Sequence, residues 1–294
     1  MKRVAEMGEE EVVARLLAGL RGAERLRVGP GDDCAVVAGG EQDLLLKTDA
    51  VVEGVHFLSD EEPRRVGRKA VGRVLSDFGA MGGWPGEFLV TIALGADTPM
   101  AWLEELYAGM SELAEDFGAV IAGGETTAVP AGSAKVISVA GTGSVPRGAA
   151  ILRSGGSPGD VLMVTGRLGG SLAGWHLDFL PRLREATWLR ENFKPTALMD
   201  LSDGLGRDLP RLARASGSGF ELAEGRIPRH DGCSVAQALG DGEDYELLLA
   251  MAPEQAAGVG PAWREAFPDL ELTEIGRLVE GEAGSALGGW AHFS

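Results

Sequence analysis

Acidic residues repeatedly follow short apolar or glycine-rich stretches of this chain, a pattern that could bind metal ions. The acids in these stretches are Asp32, Asp33, Asp49, Asp77, Glu125, Asp200, Asp203, Asp241, Glu243 and Asp244. A carboxylate at the end of a buried strand or the start of a helix is costly to desolvate unless a cation meets it. The nearby basic residues look too few to pair with all of them. Turns favour Asp and Gly, so any single motif could be an ordinary solvated turn. Its recurrence favours several divalent cations, and hard oxygen ligands suit Mg²⁺ or Mn²⁺ better than Zn²⁺.

Three of these stretches also contain groups suited to a metal or a nucleotide. Thr48 and Asp49 follow an apolar strand, where a hydroxyl or backbone oxygen and a carboxylate could bind one cation. In AVIAGGETT, the glycine pair ending at Gly124 could offer backbone N–H groups to phosphates, with Glu125 beside it for a metal. Ser202 lies in a tight turn between two acids, where helix capping explains only one of the three residues. The chain has no GxxxxGK[ST] and no GxGxxG after a strand, so ATP chemistry would need another scaffold.

A further group of residues could contact a ligand or could equally be structural. Arg153 either clamps a phosphate or is an ordinary surface arginine. His56 lies on an apolar stretch, where a histidine is more often a satisfied structural residue than part of a site. Trp290 and Phe293 either close over an aromatic ligand or anchor the end of the chain. The sequence motifs alone leave these alternatives open.

Composition excludes several classes of function. The 294 residues carry a net charge of −17, which argues against nucleic-acid and anionic-membrane partners because both require a basic face. No apolar run approaches the roughly 18 residues that span a bilayer. The N-terminal segment has acids where a signal peptide needs an apolar core. Cys34 and Cys233 form no metal or disulfide motif, so we expect reduced thiols in a cytoplasmic protein.

Helical and strand patterns alternate throughout the chain and predict a mixed α/β fold. Apolar spacing predicts helices over 9–20 and 63–82 and a strand over 119–124. The segment 145–160 is rich in Gly, Pro and Ser and is the best candidate for a domain boundary. We therefore expect two domains, 1–147 and 148–294.

In this order, the motifs resemble the thiamine-monophosphate kinase family, within the aminoimidazole-ribonucleotide-synthetase-like ATP-binding superfamily. The matching segments are GDDCA (31–35), TDAVVEGVHF (48–57), LSDFGAMG (75–82), GGETT (123–127), RSGGSPGD (153–160), DLSDGL (200–205), GEDYEL (242–247) and GWAHF (289–293). The resemblance covers nearly the whole chain. It implies an N-terminal domain that binds ATP and metal and forms a barrel across a homodimer, followed by a C-terminal α/β domain. It also implies that ATP phosphorylates thiamine phosphate to thiamine diphosphate with the help of several Mg²⁺ ions.

The resemblance assigns roles to residues at matching positions. The implied metal ligands are Asp33, Thr48, Asp49, Asp77, Glu125, Asp200 and Asp203. The implied ATP contacts are Tyr107, Gly124, Arg153 and Ser202, and the implied thiamine phosphate contacts are His56, Glu243 and Trp290. We expect no catalytic base, because the acceptor is a phosphate that is already ionised at neutral pH.

The chain departs from the family pattern at several of these sites. Glu125 replaces a usual Asp, Val74 a usual Asn and Lys47 a small hydroxyl residue. Gly170 and Asp241 are also unusual. Two alternatives therefore stay open: another synthetase of the superfamily, and a regulator that binds nucleotide or thiamine phosphate without catalysis. The first Cys, Cys34, directly follows GDD, which argues against selenophosphate synthesis.

Overall fold

A computed structural model of the protein describes residues 3–290 and contains two β-sheets flanked by helices. The strands of the first sheet are β1 (Leu26–Val28), β2 (Ala35–Val37), β3 (Gln42–Val52), β4 (Trp84–Gly95), β5 (Val120–Val129) and β6 (Val136–Pro146). Their order is β1-β2-β3-β6-β4-β5, and only the β4–β5 pair is parallel. The helices of this half are α1 (Glu9–Leu17), α2 (Pro63–Ala80) and α3 (Met100–Asp116).

Helices α2 and α3 cover one face of the first sheet, which we call its inner face. Alternate residues of β4, including Phe88, Val90 and Ile92, are fully buried there, as the two-residue period of a strand requires. The helices approach each other closely at Gly67 and Gly109: a Cβ on Gly67 would lie 2.1 Å from the carbonyl oxygen of Leu106. The opposite, outer face exposes apolar side chains such as Leu46 and Leu89.

The second sheet has helices on both faces. Its strands are β7 (Val161–Thr165), β8 (Ala197–Asp200), β9 (Gly219–Leu222), β10 (Leu247–Met251) and β11 (Leu272–Val279), in the antiparallel order β8-β10-β7-β11-β9. Its helices are α4 (Trp175–Asp178), α5 (Leu183–Asn192), α6 (Leu205–Ala215), α7 (Val235–Gly240) and α8 (Pro253–Ala266). Along β10, Leu248 packs in the core beside α6, whereas Leu247 and Leu249 pack in the core beside α5 and α8. Burial on both faces explains the continuous apolar run of this strand.

The mixed α/β class predicted from the sequence is confirmed, and three element bounds differ from prediction. The first helix ends at Leu17 rather than at residue 20, and the second ends at Ala80. The strand predicted over 119–124 continues to Val129, so the glycine pair and Glu125 lie within β5 instead of in a loop after it. The two sheets lie on either side of segment 147–160, and the exact domain boundary stays a prediction. Within residues 3–290, no helix is long and apolar enough to cross a membrane.

Candidate active site

Three buried aspartates from distant parts of the chain meet at one point. Asp33 precedes β2, Asp77 lies in the last turn of α2, and Asp200 ends β8. One carboxylate oxygen from each lies within 4.8 Å of the others, and all three residues are at most 5% exposed. Helix α2 joins the two halves here, because Ser76 Oγ donates a 2.6 Å hydrogen bond to Asp200 Oδ2. We call Asp33, Asp77 and Asp200 the aspartate cluster.

The electrostatics of the aspartate cluster favour a bound cation. Burial, together with Asp33, raises the pKa of Asp200 to about 6. Burial also raises the pKa of Asp77, and the charge of Asp200 adds to this effect. Asp33 Oδ2 is buried and has no hydrogen-bond partner in the described part of the chain. Close carboxylates of this kind are typical ligands of Mg²⁺, so the donor set fits that ion.

Basic residues already contact several of the acids, which the sequence did not predict. Lys47 Nζ lies 2.8 Å from Asp77 Oδ1, and Arg153 donates to Asp33. Although burial favours the neutral amine, Asp77 and Asp49 raise the pKa of Lys47. The expectation that basic residues are too few to pair is therefore wrong for Asp33 and Asp77.

Asp203, at the start of the turn before α6, is also paired with a basic residue, contrary to the expectation from the sequence. Arg211 Nη1 lies 2.5 Å from Asp203 Oδ2 and 2.9 Å from Asp208 Oδ1. Burial raises the pKa of Asp208 to about 8, with a further contribution from Asp203. Asp203 nonetheless lines a cleft beside the aspartate cluster, and so does Ser202.

That cleft is lined by the residues assigned to thiamine phosphate. Its walls include His56, Arg73, Ser202, Asp203, Glu243 and Trp290. His56 Nδ1 accepts a 3.0 Å hydrogen bond from the Val52 amide, and the Trp290 amide donates to the Asp203 carbonyl. Phe293, which we considered as a second aromatic contact, lies outside the described residues.

Glu243 is held in the cleft by a buried polar network. Lys69 Nζ donates a 2.7 Å hydrogen bond to Glu243 Oε2 and a 2.5 Å hydrogen bond to the His56 carbonyl. The Nδ1 atom of His176 lies 2.7 Å from Lys69 Nζ. Burial lowers the pKa of Lys69 to about 8. Burial also lowers the pKa of His176, and the positive charge of the nearby Lys69 lowers it further. Glu243 itself has φ 54°, and such left-handed non-glycine backbone is concentrated at functional sites.

The register of the first sheet separates the other predicted metal ligands. Asp49 pairs with Val139, whose side chain is buried on the inner face, so Asp49 points towards α2 and the aspartate cluster. Thr48 is the next residue along the strand and has the opposite orientation, on the outer face. Only its backbone oxygen can therefore face a metal bound on the inner side.

Two further assigned residues lie at the edge of the first sheet. Gly124 pairs with Val90, and Glu125 pairs with the exposed Thr91 on the outer face. Three strand spacings of about 4.8 Å put β5 roughly 14 Å from β3. Within one chain the structure thus does not bring Glu125 to Asp49. Tyr107, on α3, packs against the core of the first sheet.

Comparison with known proteins places the chain in a family. The family model for the N-terminal domain of AIR synthase related protein matches residues 31–145. The thiamine-monophosphate kinase of Rhodopirellula baltica is 35% identical, over 92% of this chain and 89% of the relative. That of Mycobacterium tuberculosis is 33% identical over 98% of this chain and 92% of its own. The chain belongs to the thiamine-monophosphate kinase family.

A solved structure supports the same family at the level of the fold. The structure described as "AaThiL complexed with AMPPCP and TMP" has a TM-score of 0.86 and 29% identity, covering 99% of both chains. The resemblance seen in the sequence motifs is confirmed, and the chain is an enzyme of the kinase class. Membership of the thiamine-monophosphate kinase family favours this class over the two alternatives that the motifs left open.

Sequence reasoning missed several polar residues around the site of this family member. Lys69 and Arg73 were missed, although they precede the predicted ligand Asp77 at four-residue intervals on α2 and therefore lie on the same face of the helix. Charged residues at this spacing within an otherwise buried helix would have indicated a polar site. Tyr245 and His176 gave no comparable signal, because their positions depend on how the two halves of the chain pack.

Proposed function

We propose that this enzyme transfers the γ-phosphoryl group of ATP to thiamine phosphate, giving thiamine diphosphate and ADP. The observation that carries the proposal is the buried aspartate cluster beside a cleft that contains His56, Glu243 and Trp290. The family name and the relative solved with AMPPCP and TMP support the substrate pair. A phosphate oxygen of thiamine phosphate attacks the γ-phosphorus, a new P–O–P linkage forms, and the bond to the ADP oxygen breaks.

The main barrier to this reaction is repulsion between two polyanions, and the acceptor oxygen needs no general base. Asp33, Asp77 and Asp200 would hold Mg²⁺, with Asp49, Asp203 and the Thr48 backbone oxygen as further ligands. Bound Mg²⁺ would neutralise phosphate charge and orient both substrates. We propose that several Mg²⁺ ions bind. The ammonium of Lys47, 2.8 Å from Asp77, would supply part of the positive charge at this point.

The remaining assigned residues bind and orient the substrates. We assign Arg153 and Ser202 to the phosphates of ATP, and Gly124 and Tyr107 to other parts of the nucleotide. Glu125 is the weakest member of the metal set, because it lies on the outer face of the sheet. His56 and Glu243 would bind thiamine phosphate, and Trp290 would pack on its pyrimidine ring. Trp290 is half exposed, as a residue that closes over a ligand requires.

We also propose a cytoplasmic homodimer formed through the first sheet. Its outer face has an open groove lined by apolar side chains, including Leu46, Leu89 and Ala140. Leu46 is 40% exposed and Leu89 is 55% exposed. Exposed apolar surface of this kind is typical of interfaces between protein chains. A barrel closed by two copies of this sheet would also cover Thr48 on the outer face.

A product assay tests the proposed reaction. Purified protein is mixed with ATP, Mg²⁺ and thiamine phosphate, and thiamine diphosphate and ADP are quantified by chromatography. We expect the two products in equal amounts, with none formed in EDTA or when thiamine replaces thiamine phosphate. ADP release without thiamine diphosphate, or no turnover at saturating Mg²⁺, would contradict the proposal.

A further inference from the structure

Arg73 brings a buried guanidinium to the cleft with unused hydrogen-bond donors. The residue lies on α2, and its side chain is 13% exposed. Its Nε and Nη1 atoms are buried without a hydrogen-bond partner among residues 3–290. The nearest acids are too far for hydrogen bonds: Nη2 lies 3.6 Å from Asp49 Oδ1, and Nη1 lies 3.8 Å from Glu243 Oε1. These donors therefore remain available to a ligand.

A second unsatisfied group lines the same cleft. Tyr245 is 2% exposed, and its hydroxyl group is buried with no hydrogen-bond partner in the part of the chain that the structure describes. The ring is fixed by stacking on Phe179, at a centroid distance of 3.9 Å. The backbone of Tyr245 has φ 51°, so the turn that presents it is strained.

Unpaired buried donors are rare, because each costs free energy unless a partner is supplied. The cleft contains at least two such groups, from α2 and from the turn before β10. Among the described residues that line the cleft, Arg73 is the one with a permanent positive charge, and the lining also includes the acids Asp203, Asp241 and Glu243. A ligand that accepts several hydrogen bonds would satisfy the donors of Arg73, and a negative charge would strengthen these hydrogen bonds. A phosphate group meets both conditions, and the planar fork of arginine binds it in a bidentate way.

We propose that Arg73, assisted by the Tyr245 hydroxyl, binds the phosphate group of thiamine phosphate and selects it over thiamine. The location supports this role. Arg73 lies between Asp49, on the side of the aspartate cluster, and Glu243, on the side assigned to the ring system. The accepting phosphate must lie between these two sides for the transfer to occur. This inference rests on the proposed function.

A purely structural role is the competing explanation, because Arg73 also connects α2 electrostatically to Asp49 and Glu243. The two roles differ in what they predict for thiamine, which has the same rings but no phosphate. Loss of a phosphate contact weakens binding of thiamine phosphate alone. Loss of a structural bridge weakens binding of both compounds.

The test is isothermal titration of thiamine phosphate and of thiamine, in the presence of Mg²⁺ and AMPPCP. The proteins are the wild type, Arg73→Leu, Arg73→Lys and Tyr245→Phe, with Arg64→Ala as a matched control. Arg64 lies on the same helix but is exposed and pairs with Glu112. We expect Arg73→Leu to lose at least about tenfold in affinity for thiamine phosphate and less than about twofold for thiamine. Arg73→Lys should retain part of the affinity, and Arg64→Ala all of it.

Equal losses for the two compounds, or no loss for either, would overturn the role of Arg73. Tyr245→Phe keeps the ring that stacks on Phe179 and removes only the hydroxyl. It should lose a few-fold in affinity for thiamine phosphate even if Arg73→Leu does not fold. Unchanged affinity in Tyr245→Phe would overturn the assisting role. The proposed function fails separately, if the wild type neither binds thiamine phosphate nor forms product.

Discussion

Glu243 illustrates how single residues of this site depend on buried partners. Its carboxylate accepts a hydrogen bond from Lys69, and this lysine is fully buried. The ammonium group also contacts the His56 carbonyl and His176 Nδ1. One buried lysine thus contacts two residues that we assign to thiamine phosphate, which ties the geometry of the substrate site to helix α2.

The low pKa of Lys69 predicts how stability depends on pH. Burial is the main reason that this pKa falls from 10.5 to about 8, and the charge of Arg73 contributes to the decrease. The nearby Glu243 and Glu61 oppose it. His176 also contacts the amine. Between pH 8 and 10.5, the unfolded chain holds the Lys69 proton and the native protein does not, so the native state gains stability as pH rises. In Lys69→Met this contribution is absent.

We expect the difference in the free energy of unfolding, wild type minus Lys69→Met, to rise by about 3 kcal/mol across this pH range. Urea titrations at several pH values measure it, and groups that titrate in both proteins cancel in the difference. A difference that stays flat or falls would show that the native state does not lower the pKa of Lys69.

Asp200→Asn separates catalysis from folding within the aspartate cluster. The substitution removes one of three close, buried negative charges and keeps an oxygen that can accept from Ser76. In EDTA we expect a free energy of unfolding equal to or higher than that of the wild type, because like-charge repulsion decreases. With Mg²⁺ we expect turnover to fall at least about 100-fold, or about 2.7 kcal/mol. Nearly normal turnover would show that Asp200 does not hold a metal that matters for the reaction.

The sequence predicted the acids of the site better than it predicted their surroundings. Asp33, Asp77 and Asp200 were recognisable because each follows an apolar or glycine-rich stretch. The contacts of Lys47 and Arg153 with these acids were not, because they join segments far apart in the chain. Pairing of this kind depends on tertiary packing, which a local motif does not contain.

At the scale of elements, strand register decides which motif residues reach the inner face. The sequence predicted strands near Asp49 and Glu125, but it did not show which residues of neighbouring strands pair with them. Shifting by one residue along a strand reverses the face of every side chain. Thr48 and Glu125 therefore lie on the outer face, although their motifs match those of metal ligands.

Helix α2, which carries Lys69, Arg73 and Asp77, packs very close to α3. A Cβ on Gly109 would lie 1.9 Å from the Arg64 carbonyl oxygen, which forces the helices apart. We expect Gly109→Ala to lower the free energy of unfolding by about 1 to 3 kcal/mol, the usual cost of overpacking. Gly22→Ala is the matched control, because nothing lies within 4 Å of its Cβ position. Equal stabilities of the two variants in urea would contradict this close packing.

The order of helices and strands along the chain was enough to predict a mixed α/β fold. It could not predict the assembly, because association depends on which apolar side chains of the first sheet remain uncovered. Leu89 and Leu46 lie on the uncovered face, and the proposed homodimer would bury them.

We expect Leu89→Glu to convert the homodimer to a monomer, because it places a charge in the proposed interface. Size-exclusion chromatography with light scattering measures the mass directly. Met100→Glu is the control: Met100 is 64% exposed at the start of α3, where an acid suits the helix dipole. A dimer that survives Leu89→Glu, or a wild type that is monomeric, would contradict the proposed interface.

In the proposed reaction, the aspartate cluster holds the metal ions on which phosphoryl transfer depends. Crystals grown with Mn²⁺, AMPPCP and thiamine phosphate, measured for anomalous scattering, locate those ions directly. We expect anomalous peaks within coordination distance of Asp33, Asp77 and Asp200, adjacent to the phosphates of both ligands. An active enzyme whose Mn²⁺ peaks lie away from all three aspartates would contradict the proposed metal site.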